Sequence, residues 1–218
     1  MPQLTRQDDV WTLDLGDDEN RFGHGWLDEV GAHLDQVEAA GGPAALVTTG
    51  TGKFFSNGLD LDWLLGHPED HAGYVARVHR LLARVLTLPV PTVAAVNGHA
   101  FGAGAMLAVA HDQRVMRTDR GFICLPEVHI GIPFTPGMAA LLQGAFDPRT
   151  ARTAMFTGHR YGGPEALAAG IVDAVAEADA LRASATALVA PHTGTAGATL
   201  GSIKAVVHAR ASAALLSD

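Results

Sequence analysis

Three short stretches hold residue types that could do chemistry. Glu127, in Leu125-Pro126-Glu127, offers a carboxyl group beside apolar neighbours. Two glycine turns, Phe54-Phe55-Ser56-Asn57-Gly58-Leu59-Asp60-Leu61 and Gly98-His99-Ala100-Phe101-Gly102-Ala103-Gly104, offer main-chain N–H groups. The second turn follows the apolar run Val93–Val96 and continues through Met106 to Ala110, with no charge before Asp112. A strand that passes through glycines into a helix leaves the first N–H groups of that helix without intrahelical partners. With the helix dipole behind them, such donors suit an anion, or a carbonyl oxygen that becomes one. The same glycines equally suit close strand–helix packing, and this stretch alone leaves both readings open. If the two turns end neighbouring parallel strands, their N–H groups can converge on one atom; taken singly, Ser-Asn-Gly is a good turn sequence.

Other chemistries find less support. His99, His111 and His129 follow no metal-ligand spacing, so no metal is expected. The single cysteine, Cys124, lies between Ile123 and Leu125 and reads as a core thiol rather than a nucleophile. It also excludes an internal disulfide framework. Gly102-Ala103-Gly104-Ala105-Met106 places no nucleophile at the helix start, which disfavours covalent hydrolysis.

Alternating strands and helices must position these residues. Val10–Leu15 alternates as a strand, and Leu27, Val30, Leu34 and Val37 recur at helical spacing. Ala44–Thr49 is an apolar run of buried-strand length. Val75, Val78, Leu82 and Val85 mark a second amphipathic helix, with Arg77, Arg80 and Arg84 on its wet side. Val93–Val96, Arg114–Arg117 and Gly121–Cys124 are expected as further strands, giving an α/β unit with a largely parallel sheet. From Gly137 onward the text is helical and alanine-rich. A last helix is expected over about 199–214, with so little bulky apolar surface that it should lean on another subunit or fray.

In 218 residues, 48% are hydrophobic and 17% charged, as in an ordinary globular chain. A net charge of −8 argues against broad nucleic-acid or anionic-membrane binding. No apolar run reaches transmembrane length and no signal peptide is read, so the cytoplasm is the expected compartment. The terminal Leu216-Ser217-Asp218 is not read as a peroxisomal address.

Four segments, in order over about residues 44–175, resemble the crotonase superfamily (enoyl-CoA hydratase/isomerase). They are Phe55-Ser56-Asn57-Gly58-Leu59-Asp60, Pro91 through Gly104, Pro126-Glu127-Val128-His129-Ile130-Gly131, and Thr157-Gly158 through Gly170-Ile171-Val172. The resemblance implies an α/β fold: a crotonase-like ββα spiral core over 1–140 carrying an acyl-CoA site. A helical trimerisation region over 141–218, shortened relative to the family, would follow. It implies that the backbone N–H groups of Leu59 and Ala103 form an oxyanion hole for a thioester carbonyl. Ser56, Asn57, Gly58 and Gly102 would meet the substrate or CoA, the adenine lying near the 55–59 turn. Phe101, Met106, Ile132 and Phe134 would line an apolar pocket.

Hydratases of this family use two glutamates, because water must be activated at one carbon while a proton reaches its neighbour. Here the first position is Met106, which transfers no proton, and the second is Glu127. Alone, Glu127 would read as a solvated loop residue after a proline. In its motif it reads as a base that takes a proton from C2 and returns it at C4, with burial raising its pKa. The resemblance therefore points to the Δ3,Δ2-enoyl-CoA isomerases. Segments such as His111-Asp112 and Asp119-Arg120-Gly121 look closest to the plant peroxisomal type. The expected partners are an acyl-CoA, which is the substrate rather than a cofactor, and further copies of the chain as a trimer or dimer of trimers. No nucleic acid, membrane or dissociable cofactor is expected. The alternatives are another acyl-CoA reaction such as hydration, or CoA binding without catalysis.

Overall fold

A computed structural model describes residues 1–217. Asp218, the end of the terminal tripeptide considered above, lies outside the described residues. The elements run β1 (Gln3–Gln7), β2 (Val10–Asp14), α1 (His24–Ala39), β3 (Ala45–Thr49), β4 (Phe54–Ser56), α2 (Leu61–Gly66), α3 (His71–Leu86), β5 (Thr92–Val96), β6 (His99–Phe101) and α4 (Ala103–Val109). They continue with β7 (Gln113–Arg117), β8 (Ile123–Cys124), α5 (Glu127–Ile130), α6 (Pro136–Ala145), α7 (Pro148–Thr157), α8 (Gly163–Ala168), β9 (Ala174–Ala176), α9 (Leu181–Val189), α10 (Ala198–Val207) and α11 (Ala209–Leu216).

The larger sheet has the order β1-β2-β3-β5-β7-β9, parallel except for the β1–β2 hairpin. Its central strands are apolar without alternation because both faces are covered. Val47, Val93, Ala95 and Val115 face Leu181, Ala185 and Val189 of α9, whereas Leu46, Ala94, Val96 and Met116 enter the main core. The smaller sheet, β4-β6-β8, is parallel throughout. After the β1–β2 hairpin, the pairs β3–β4, β5–β6 and β7–β8 each lay one strand in the large sheet and the next in the small one before a helix begins, which is the expected ββα spiral. Because β4, β6 and β8 lie side by side and point the same way, the segments that follow them meet at one end. Those segments are Asn57–Leu59, Gly102–Ala103 and Leu125–Glu127.

The arginines of α3 do more than face water. Arg77 pairs with Asp28, and Arg84 with Asp35 at 2.6 Å and Glu38 at 3.0 Å, so they clamp α3 to α1. The boundary expected between 140 and 141 falls inside α6, and β9 adds an edge strand to the sheet. The tail also differs from expectation. It breaks at His208 into α10 and α11, and α11 packs on α3 and α6 of its own chain, burying Ala211 and Leu215. Small residues permit this: a Cβ on Gly137 would come within 2.7 Å of the Leu215 Cα. Buried Lys204 holds α10 in place, donating to the Val90 carbonyl at 2.8 Å and to Asp112 at 2.6 Å. Among the described residues no helix is long and apolar enough to cross a membrane.

Candidate active site

A cavity of about 310 Å³ opens where the small sheet ends. Glu127, the first residue of the single-turn helix α5, reaches into it. Its side chain is buried, the residue being only 7% exposed, and Oε2 has no hydrogen-bond partner. Burial pushes its pKa up from 4.5 to about 7. The carboxyl group can therefore exist in either protonation state near neutrality. Asp62 also lines the cavity, but at the rim, where it pairs with Arg21 at 2.6 Å and is largely exposed.

Leu59 and Ala103 both line the cavity, and the peptide units that carry their N–H groups are fixed by neighbouring hydrogen bonds. The Gly58 carbonyl accepts from the Phe22 N–H at 2.8 Å. In a trans peptide the following N–H points the opposite way, so the Leu59 N–H turns away from Phe22. The Gly102 carbonyl accepts from the Met106 N–H at 3.0 Å as the first bond of α4. The Ala103 N–H therefore points out of the helix N-terminus. Neither N–H has an acceptor among the described residues. Two glycines make the approach feasible. Gly102 has φ +53° and ψ −122°, a conformation that side chains oppose, and a Cβ there would stand 3.3 Å from Glu127 Oε1. Gly58 has φ +78°, and a Cβ there would lie 3.0 Å from the Ala103 nitrogen and 2.7 Å from the Phe101 carbonyl oxygen.

Asn57, Leu59, Phe101, Gly102, Ala103, Met106, Glu127 and Ile132 all line the cavity, as the sequence led one to expect. Met106 is fully buried on α4. Ser56, Gly58 and Phe134 do not line it. Ser56 is fully buried behind the turn, its hydroxyl donating to the Asn20 carbonyl at 2.7 Å and accepting from the Gly58 N–H at 3.1 Å. Phe134 turns instead against the hydrophobic core. The sequence reading missed walls supplied by α2, α3, α6 and the α6 N-cap: Leu61, Leu64, Val75, Met138 and Thr135. Only Val75 carried a signal, as part of the apolar stripe of α3. Of the histidines, His111 bonds the Leu107 carbonyl and the Thr48 hydroxyl at 2.8 Å each, and burial lowers its pKa to about 4. Among the described residues no three of His, Cys, Asp or Glu converge as metal ligands.

The enoyl-CoA hydratase/isomerase family model matches residues 7–217. The chain belongs to that family. It is 39% identical over 188 residues to enoyl-CoA delta isomerase 3 of Arabidopsis thaliana, covering 81% of this chain and 77% of the relative. It is also 39% identical over 148 residues to a putative enoyl-CoA hydratase of Thermus thermophilus, covering 66% of this chain and 57% of the relative. Among solved structures, a probable enoyl-CoA hydratase from Mycobacterium tuberculosis H37Rv superposes with a TM-score of 0.91 at 26% identity, covering 99% of this chain and 92% of that one. Human mitochondrial delta3-delta2-enoyl-CoA isomerase shares the fold, with a TM-score of 0.91 at 24% identity, covering 99% and 86%.

Proposed function

We propose that this family member is a Δ3,Δ2-enoyl-CoA isomerase that works with one carboxyl group and no dissociable cofactor. The observation that carries this reading is the solitary state of Glu127. It is a buried, unpaired carboxyl in an apolar cavity, opposite two free N–H groups, with fully buried Met106 where a second acid would be needed to deliver water. The thioester oxygen of a 3-enoyl-CoA sits between the N–H groups of Leu59 and Ala103. Glu127 as carboxylate removes a proton from C2. The electron pair moves into the C2–C1 bond and the thioester carbonyl π electrons move onto oxygen, giving a dienolate that the two N–H groups stabilise. The protonated Glu127 then returns the proton to C4. The double bond now joins C2 and C3, and the carboxylate is restored. A pKa near 7 suits both halves of this cycle.

The test is to supply a 3-enoyl-CoA and follow the absorbance of the conjugated thioester. The wild-type protein should generate it, and Glu127→Gln should do so on the order of 10³-fold more slowly while still binding acyl-CoA. A protein that hydrates 2-enoyl-CoA but does not isomerise would overturn the proposal. Binding without turnover, or turnover indifferent to Glu127, would do the same.

A further inference from the structure

The Ser56 hydroxyl lies outside the cavity yet between the parts that aim the Leu59 donor, and we infer that it is a positioning residue for the oxyanion site. The inference rests on the isomerase reading, which assigns the Leu59 N–H its role. Leu59 has no side-chain means of orienting its own amide. That orientation follows from the Gly58 carbonyl, which the Phe22 N–H holds at 2.8 Å. Phe22 belongs to the segment after β2, so the donor is only as well placed as that segment. Ser56 and Asn20 fasten the two together.

The Ser56 Oγ donates to the Asn20 carbonyl at 2.7 Å and accepts from the Gly58 N–H at 3.1 Å. One hydroxyl thus spans the segment that supplies Phe22 and the peptide preceding the donor. Asn20 is buried, and its Nδ2 donates to the carbonyls of Gly16 at 3.2 Å, Phe54 at 3.3 Å and Phe55 at 3.0 Å. Its φ of +49° is one that asparagine tolerates better than most residues. The Ser56 backbone touches the other donor's support as well: a Cβ on Gly104, one residue beyond Ala103, would collide with the Ser56 carbonyl and Cβ. Ser56 therefore sits against the scaffolds of both N–H groups while remaining out of reach of substrate. Without the hydroxyl, the Asn20 carbonyl and the Gly58 N–H lose a partner in a buried place. The 56–59 turn relieves that by shifting, and the Leu59 N–H moves with it.

Ser56→Ala is the test, read in three ways on the intact protein. Turnover of a 3-enoyl-CoA should fall about 10- to 100-fold in kcat, the scale of an angstrom of misplacement, with KM changed little. Affinity for acetoacetyl-CoA, whose enolate puts charge on the thioester oxygen, should fall by a similar factor. Affinity for saturated butyryl-CoA should stay within about twofold, and the pH profile set by Glu127 should not move. If Ser56→Ala fails to fold, Ser56→Cys, which keeps the bulk and a weak donor, is read in the same assays and should show the same split at smaller size. Wild-type kcat and wild-type preference for acetoacetyl-CoA in a folded variant would overturn the inference. So would equal loss of affinity for both ligands. A wild-type protein that neither isomerises nor prefers the enolate would instead refute the isomerase reading.

Discussion

Replacing Glu127 by glutamine removes a buried ionisation, and the thermodynamic signature of that change is separable from its effect on catalysis. The folded-state pKa is raised from 4.5 to about 7 by burial. Between those two values the unfolded chain has released the proton that the folded chain retains, so stability falls as pH rises through this window. Below pH 4.5 the penalty is absent, and above 7 it is complete and constant. At roughly 1.4 kcal/mol per pH unit, the displacement corresponds to about 3 kcal/mol. Glutamine has no such ionisation. The stability of Glu127→Gln relative to wild type should therefore climb by about 3 kcal/mol between pH 4.5 and 7, or about 6–12 °C in Tm for a chain of this size. Urea titrations of both proteins across pH 4.5–8 measure it. Buried His111 pulls the other way: its pKa is lowered to about 4, so stability is lost as pH falls from 6.5 toward 4. That contribution is common to both proteins and cancels in the difference. A difference that stays flat from pH 4.5 to 8 would refute the claim that Glu127 is held in a poorly solvated place. The catalytic counterpart is a kcat/KM that rises with pH and levels off above about 7, since the carboxylate is the competent base.

Three further outcomes follow from the same geometry. Gly102→Ala should cost at least about 1 kcal/mol through its positive φ and should depress kcat, because the new methyl abuts the Glu127 carboxyl; steady-state kinetics with a melting curve checks both. Met106→Ala should destabilise the fold by about 2–5 kcal/mol because that side chain is fully buried; urea unfolding gives the value. The trimer or dimer of trimers implied by the resemblance predicts a light-scattering mass three or six times that of the chain, a monomer mass being the contrary result, and Ile203, Val206 and Val207 on α10 stand exposed.

Much of the large sheet was legible because doubly covered parallel strands leave uninterrupted apolar runs such as Ala45–Thr49 and Thr92–Val96. The small sheet was less so. Its strands are two or three residues long, and β4 and β6 read as parts of glycine turns. β1 carries almost no apolar residue, and its pairing with β2 in register Leu4↔Leu13 is a tertiary fact. At the site, Glu127 drew notice as a carboxyl group among apolar neighbours, whereas Leu59 and Ala103 were singled out only by the family resemblance. The far walls did not, since Leu64 and Met138 look like any core residue until α2 and α6 fold over the cavity. Ser56 was placed near the ligand by the family resemblance alone, and the burial that turns its hydroxyl inward was not legible in the sequence.

The seat of α11 on Gly137 ties that helix to the depth of the cavity. Leu215 rests on the glycine that directly precedes Met138, and Met138 and the N-cap of that helix, Thr135, wall the cavity. Any side chain grown at 137, or any loss of the closing helix, alters how far α6 can lean inward. The room inside the cavity is thereby governed partly by residues that do not line it.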